Sequence, residues 1–380
     1  MASPQHPAPA GSSVGFTLIE LMLSMAVLTL LMMVSFGVID AVSKVFKRTR
    51  AQIDTFQEAR AGYEGMTRRL SQAMLNTYWD YEYPNNNTSL APTAYVRKSE
   101  LHMVAGPTKD GLTPLLPDAS IQSVTHGVFF QSPLGFSAPL TETAGGATGL
   151  PNLLNVGGYF VQYTSDKLDR PKFLREGERI PAERWRMRLM EMNQPTEYFR
   201  TYKATMSPTK LKPYDWFREP LVITTEPTAK RVLAENVIAL VIRPHRSPND
   251  PPPAGAPRQL APNYLYDSRL YLTKPTDTVA KLTRNQLPPT VEVTMIAIDE
   301  MSASRVQDRL KDATKAPVEE LGLTGLFAKP STSSTPSAAE EGDLFRKDLQ
   351  ALEQKLIELN LIYRTFSTDV SILQAKWSED

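Results

Sequence analysis

The chain has 380 residues, 41% of them hydrophobic, with 42 Lys plus Arg against 41 Asp plus Glu and no cysteine. Such a chain can bury an ordinary core, which excludes disordered, collagen-like and disulfide-stapled architectures; without cysteine there are no zinc ribbons, iron–sulfur ligands or thiol nucleophiles. A net charge of +1 supplies no general attraction to nucleic acid or anionic lipid, and 31 Pro with 19 Gly imply short segments joined by proline-rich loops.

Residues 21–39, LMLSMAVLTLLMMVSFGVI, carry no charge. As a helix they span roughly 28 Å, about the hydrocarbon thickness of a bilayer. They are apolar on every face, where a soluble core helix would show a polar stripe. A secretory signal peptide has a shorter apolar region behind a basic stretch, whereas residues 1–15, MASPQHPAPAGSSVG, contain no Lys or Arg. The segment reads as a single membrane span. Glu20 stands at its start, within Gly15-Phe16-Thr17-Leu18-Ile19-Glu20. A carboxylate at bilayer depth costs on the order of 2.5–3.5 kcal/mol and needs a partner or a role, although at the lipid interface the helix dipole alone would favour it.

Beyond the span, Val42, Phe46, Ile53, Phe56, Ala59, Tyr63, Met66, Leu70, Ala73 and Met74 recur mostly every three or four residues. No proline occurs from Phe16 to Tyr83, and Pro84 closes the stretch. This predicts a helix over about 16–77, roughly 90 Å long, with a transmembrane half at 16–40 and an amphipathic half within 41–83. Packing on the protein's own sheet is favoured over a coiled coil, whose seam would hold Thr49 and Arg60.

From 84 to 300 the pattern turns to short apolar or alternating runs between Pro, Gly and Asn clusters, a mainly β domain. Strands are expected at 100–104, 126–131, 158–163, 185–192, 221–225, 236–243, 264–272 and 290–298. Residues 141–149 and 246–257 read as exposed loops. Residues 301–360 read as a helical insertion, with helices at 304–315 and 339–359 around a flexible linker at 328–338, and 361–380 as two C-terminal strands, Leu361–Phe366 and Val370–Trp377. The fold class is α+β, a long N-terminal helix packed on a mainly antiparallel β domain.

GFTLIE, followed by Leu21-Met22 and the apolar run, resembles the class III signal of type IV prepilins and type II secretion pseudopilins. The resemblance implies a leader at 1–15, cleavage by a prepilin peptidase between Gly15 and Phe16, N-methylation of Phe16, and an assembly role for Glu20 as partner of a neighbouring subunit's amine. Two features depart from the family. The leader lacks Lys and Arg, and Lys44, Lys47, Arg48 and Arg50 follow the span, a basic flank that by itself would place the bulk of the chain in the cytoplasm. Further runs resemble J-type minor pseudopilins and, more narrowly, the large pilin-like proteins of the Verru_Chthon cassette, protein C type. They are Arg231-Val232-Leu233-Ala234-Glu235-Asn236-Val237, Leu287-Pro288-Pro289-Thr290-Val291-Glu292-Val293, Phe366-Ser367-Thr368-Asp369-Val370 and Ala375-Lys376-Trp377-Ser378, with Trp185 to Glu191 and Gln194 to Glu197 for the narrower group.

The resemblance implies a pilin-like fold and a non-catalytic subunit of a secretion or pilus-like machine, with a single span in the inner membrane and a periplasmic globular domain. Its place would be the tip of a filament or pseudopilus. Implied partners are the prepilin peptidase, other pilin or pseudopilin subunits, the inner-membrane assembly platform and, before assembly, membrane lipid. The rival readings are a membrane-anchored periplasmic binding protein or enzyme, and a cytoplasmic scaffold that follows the basic flank.

Nothing else in the sequence points to chemistry. His6, His102, His126 and His245 are scattered at no metal-ligand spacing, and there is no GxSxG, P-loop or GxGxxG motif. Asp110 with Asp118, or Asn249 with Asp250, lack the spacing of a calcium loop. Arg184-Trp185-Arg186-Met187-Arg188 reads as a sheet edge with one polar face rather than a nucleic-acid strand. No cofactor, metal or nucleic-acid partner is expected.

Overall fold

Without an internal proline, residues Leu18–Leu70 form one helix, α1, of 53 residues. It ends before residue 77 because Ser71 and Gln72 turn the chain and the Met74 N–H bonds to the Gln131 carbonyl, leaving the helical path. The computed structural model describes residue 15 and residues 17–110, 113–137, 152–167, 169–176, 180–199, 213–222, 229–247, 260–261, 263–328 and 338–378. The leader before Gly15, Phe16, the loop at 141–149, most of the loop at 246–257 and most of the linker at 328–338 lie outside them. The chain divides into two units, residues 1–53 and 54–380.

In the first unit, α1 is apolar and uncovered. Leu23, Leu30, Met33, Phe36 and Ile39 are all more than half exposed. This helix is long and apolar enough to cross a membrane, with a mean hydropathy of 2.3 over its most apolar window and none of that window buried. The hydroxyls of Ser24 and Thr29 bond to the carbonyls of Leu21, Met25 and Ala26 at 2.9 Å, so both of these polar side chains are satisfied within the helix.

In the second unit the last turns of α1 bury Ala59, Gly62, Tyr63, Met66 and Leu70, one helical stripe. Gly62 lets the helix come close: a β-carbon there would meet Ala234 Cβ and the Leu233 carbonyl oxygen at 3.2 Å. After α1 come β1 (Tyr78–Glu82) and β2 (Ala94–Lys98), a two-stranded antiparallel ribbon, then β3 (Val104–Pro107), β4 (Ser123–Pro133) and β5 (Leu154–Ser165). A single turn, α2 (Lys172–Arg175), precedes β6 (Trp185–Gln194); α3 (Asp215–Val222), β7 (Ala229–Glu235), β8 (Val237–His245) and β9 (Tyr266–Asp267) follow. The chain continues with α4 (Thr278–Leu282), β10 (Thr290–Ile298), α5 (Glu300–Arg309), α6 (Ala338–Glu358) and β11 (Tyr363–Ser371).

One sheet has the order β7-β6-β5-β4-β3-β9, and a second β11-β10-β8; every pairing is antiparallel. The chain crosses between the sheets at Asn236, whose φ of 61° is a corner that asparagine tolerates better than most residues. The six-stranded sheet is covered on both faces: Val128, Phe130, Tyr159, Val161 and Leu189 join the main core, while Phe129, Phe160 and Met192 pack under Trp216, Phe217 and Leu221 of α3. A bulge in β4 at Thr125 and His126 joins the sheets, because the N–H groups of Leu240 and Ile242 on β8 donate to Thr125 Oγ1 and His126 Nδ1, both at 3.0 Å. An otherwise open strand edge is thereby satisfied.

Several expectations are corrected. Residues 221–222 close helix α3 rather than open a strand, because Trp216, Phe217, Pro220 and Leu221 lie on one helical face over the sheet. At 100–104 only Val104 joins a ladder; the His102 and Met103 N–H groups instead bond to Gln131 Oε1 and Ser268 Oγ. Of 264–272 only Tyr266 and Asp267 pair, since Asp267 Oδ1 accepts from the Arg269 N–H and turns the chain. The first late helix spans 300–309 rather than 304–315, because Asp299 caps it directly after β10. The two C-terminal strands are one, β11, running unbroken through Ser367-Thr368-Asp369 with β10 along its length. Strand β6 is interior, between β5 and β7, not a sheet edge. Strands β1, β2 and β7 were not among the expected ones.

Candidate functional site

The segment that carries the family resemblance is Gly15 to Glu20, and its geometry starts from the need to satisfy the first N–H groups of α1. Thr17 stands just before the helix. Its N–H donates to Glu20 Oε2 at 3.1 Å, its hydroxyl donates to the same oxygen at 3.0 Å, and the Glu20 N–H approaches Thr17 Oγ1 at 3.4 Å. This is a capping box, in which a Thr and a Glu three residues on satisfy each other's backbone donors. Among the described residues Glu20 Oε1 has no partner. Gly15 has open space around it, so no neighbour requires the absence of a side chain there. Phe16 lies outside the described residues. The Thr-x-x-Glu pattern was present in the sequence and its capping role was not drawn from it.

Most of the other described groups weighed from sequence are engaged by neighbours within the fold, two of the histidines deep in its interior. His102 Nδ1 accepts from Trp216 Nε1 at 2.9 Å, which leaves Nε2–H to donate to Asp267 Oδ1 at 2.6 Å, while the Tyr214 hydroxyl donates to Asp267 Oδ2 at 2.9 Å. Burial holds this imidazole below its ordinary range. His126 Nε2 donates to the Phe327 carbonyl at 2.6 Å, and burial pushes its pKa down to about 4. His245 sits 3.1 Å from Glu292, which also pairs with Arg243 at 2.7 Å. Asp118 turns back to the Ser120 N–H, 2.7 Å away. The basic run on β6 is taken up by carboxylates: Arg184 by Glu235 at 2.8 Å, Arg186 by Glu300 at 2.8 Å, and Arg188 by Glu235 at 2.9 Å and Asp169 at 3.0 Å.

Glu191, in the middle of β6, is the best-buried carboxylate of this group, 1% exposed. Its cross-strand neighbours are Tyr159 on β5 and Arg231 on β7. The Tyr159 hydroxyl donates to Oε1 at 2.8 Å, and Arg69 from the end of α1 and Arg231 both pair with it. These contacts pin the last turn of α1 to the sheet. No sequence spacing announces them, because the partners lie far apart along the chain. Compared with protein-family models, curated proteins and solved structures, the chain matches none.

Proposed function

We propose that the chain is a pilin-like subunit of the minor pseudopilin kind, held in the inner membrane by α1 before assembly and packed through the same helix against neighbouring subunits afterwards. The observation that carries the reading is Glu20, a carboxylate with one oxygen open among the described residues, at the head of an apolar, uncovered helix. In a filament that oxygen would face the Phe16 amine of a neighbour, and the pair would offset the desolvation of both charges while setting register. Two further observations support it. A glycine that no contact requires at position 15 fits recognition by a peptidase that cuts there. Val42, Val45, Phe46 and Ile53 remain exposed past residue 40, where a simple anchor would need no apolar residues. The globular part would face the periplasm and work by contact with the assembly platform and other subunits rather than by catalysis. Mass spectrometry of the N-terminal peptide from native membranes tests this: a chain beginning at Phe16 with one added methyl group is expected, and retention of residues 1–15 would refute processing.

The capping box favours a second reading, a periplasmic binding protein or enzyme with α1 as a plain anchor and Glu20 serving only the helix start. Glu20→Gln separates the two, since glutamine also completes a capping box but carries no charge. An anchor would tolerate it; a pilin would be processed and then fail to assemble.

A further inference from the structure

The β1–β2 ribbon carries more exposed aromatic surface than any fold requirement explains. Trp79, Tyr81 and Tyr95 share one face of the ribbon and are 39%, 51% and 58% exposed. The Trp79 and Tyr95 rings lie nearly parallel, at 18°, with centroids 5.5 Å apart, and Tyr81 is 5.2 Å from Tyr95. This platform is built rigidly. Arg97 packs 5.4 Å from the Trp79 ring and is itself locked, donating to the Ser378 carbonyl at 3.2 Å, to Ser378 Oγ at 2.5 Å and to the Arg284 carbonyl at 3.3 Å. Facing the platform across a groove of about 610 Å³ stand Tyr271, Lys281 and Arg284.

The groove has surplus positive charge. Among the described residues its one carboxylate, Glu82, is taken by Arg284 at 2.8 Å, and the Arg284 guanidinium stacks 4.3 Å over Tyr271 with its Nε buried, which leaves Lys281 as the surplus cation. The exposed ammonium of Lys281 has no partner among the described residues. A ligand that satisfies both walls must present flat apolar ring faces to the aromatics and anionic groups to the cations. A neutral glycan meets only the first demand, and an acidic peptide without ring side chains only the second.

We infer that this groove binds an acidic polysaccharide, its sugar rings stacked along Trp79 and Tyr95 and its carboxylates held by Lys281 beside the Arg284–Glu82 pair. The site is independent of α1 and of any assembly step, so its failure and that of the pilin reading are told apart.

The test is calorimetric titration of the full chain in detergent micelles with a short oligogalacturonate, a neutral oligoglucan and an oligoglutamate of matched length. The oligogalacturonate is expected to bind at least about tenfold more tightly than either of the others, a gap of about 1.4 kcal/mol. Trp79→Ala is expected to remove the binding. Lys281→Glu, at an exposed position with no side-chain partner among the described residues, is expected to weaken it about tenfold with an unfolding transition changed by no more than the small helix-end charge effect. Equal binding of oligoglutamate, equal binding of the neutral glucan, no binding of the oligogalacturonate, or a Lys281→Glu variant that binds like the parent would each overturn the assignment.

Discussion

The two parts of α1 differ in a way that composition does not foretell. Between Leu21 and Ile39 the helix has no charged residue, yet its large side chains are exposed, Phe36 at 68% and Met33 at 75%. Between Asp54 and Leu70 it carries Arg60, Glu64, Arg68 and Arg69, yet Met66 and Leu70 are fully buried. Burial follows from having something to pack against, not from hydropathy. The second stretch keeps a single apolar stripe because a sheet covers one side and water the other. The first has no charged residue on any face, a composition suited to lipid, with the Ser24 and Thr29 hydroxyls turned back on its own carbonyls.

The carboxylates of the two regions repeat the contrast. Glu20 is exposed and held by one local partner, Thr17, three residues away. Glu191 is buried and held by Arg69, Arg231 and Tyr159, from three different elements. Removing the first should leave the globular unit unchanged, and removing the second should not.

The large stability effects are expected in the globular unit, and Glu191→Leu is one of them. It leaves the buried Tyr159 hydroxyl without its acceptor and the partly exposed Arg69 and Arg231 without their counter-charge, and should cost about 2–4 kcal/mol in urea unfolding. A loss below about 1 kcal/mol would mean that the two arginines find water or other partners. Leu70→Ala, at a fully buried position of the helix stripe, should follow with about 2–5 kcal/mol.

Acid should act through His126. Its folded pKa of about 4 lies below the ordinary 6.5, so the unfolded chain binds the extra proton first. The stability this histidine contributes is present above about pH 6.5 and is lost as pH falls through about 4. It amounts to about 3 kcal/mol over that window, and His126→Gln should flatten that part of the stability–pH curve.

Smaller effects sharpen the helix comparison from within. Gly65→Ala sits on the exposed side of α1 with open space at its β-carbon and should stabilise by about 0.5–1 kcal/mol. Gly62→Leu, three residues away against Leu233 and Ala234, should instead destabilise by about 1–3 kcal/mol. If both substitutions acted alike, the close approach at Gly62 would not be needed. Glu20→Gln is expected to leave the unfolding transition of the globular unit where it is while abolishing filament incorporation, read by co-purification with sheared filaments.

Much of the architecture was legible along the chain. The long apolar N-terminal helix, the helical stripe from Ala59 to Leu70, and strands β4, β5, β6, β8 and β10 all announced themselves by period or by apolar runs. So did α6, with its leucines at helical spacing. What misled was local propensity where tertiary contacts prevailed. The β-rich composition after Pro220 masked α3, whose Trp216 and Phe217 are helical because the sheet beneath needs a cover. Tyr264 to Leu272 looked like a strand, but Asp267 is drawn inward by His102 and Tyr214. At the candidate site, Glu20 and its register against the apolar run could be read directly, whereas the capping role of Thr17 was drawn only from the structure. The aromatic ribbon could be glimpsed in Tyr78-Trp79-Asp80-Tyr81-Glu82, but not its groove, whose other wall lies about two hundred residues on, beyond Leu270.

By itself, then, the sequence determined what depends on neighbours along the chain: helix periodicity, the length of an apolar run, the cap at its head and the register of Glu20 against it. Hydrogen bonds and side-chain spacing within a few residues decide these. Only the tertiary structure decided which strands share a sheet, that the chain changes sheets at Asn236, that Arg69 and Arg231 meet at Glu191, and that a ribbon at residues 78–98 faces Lys281 and Arg284. Those contacts join residues tens to hundreds of positions apart, and the close packing that selects among them is a property of the whole fold, not of any segment.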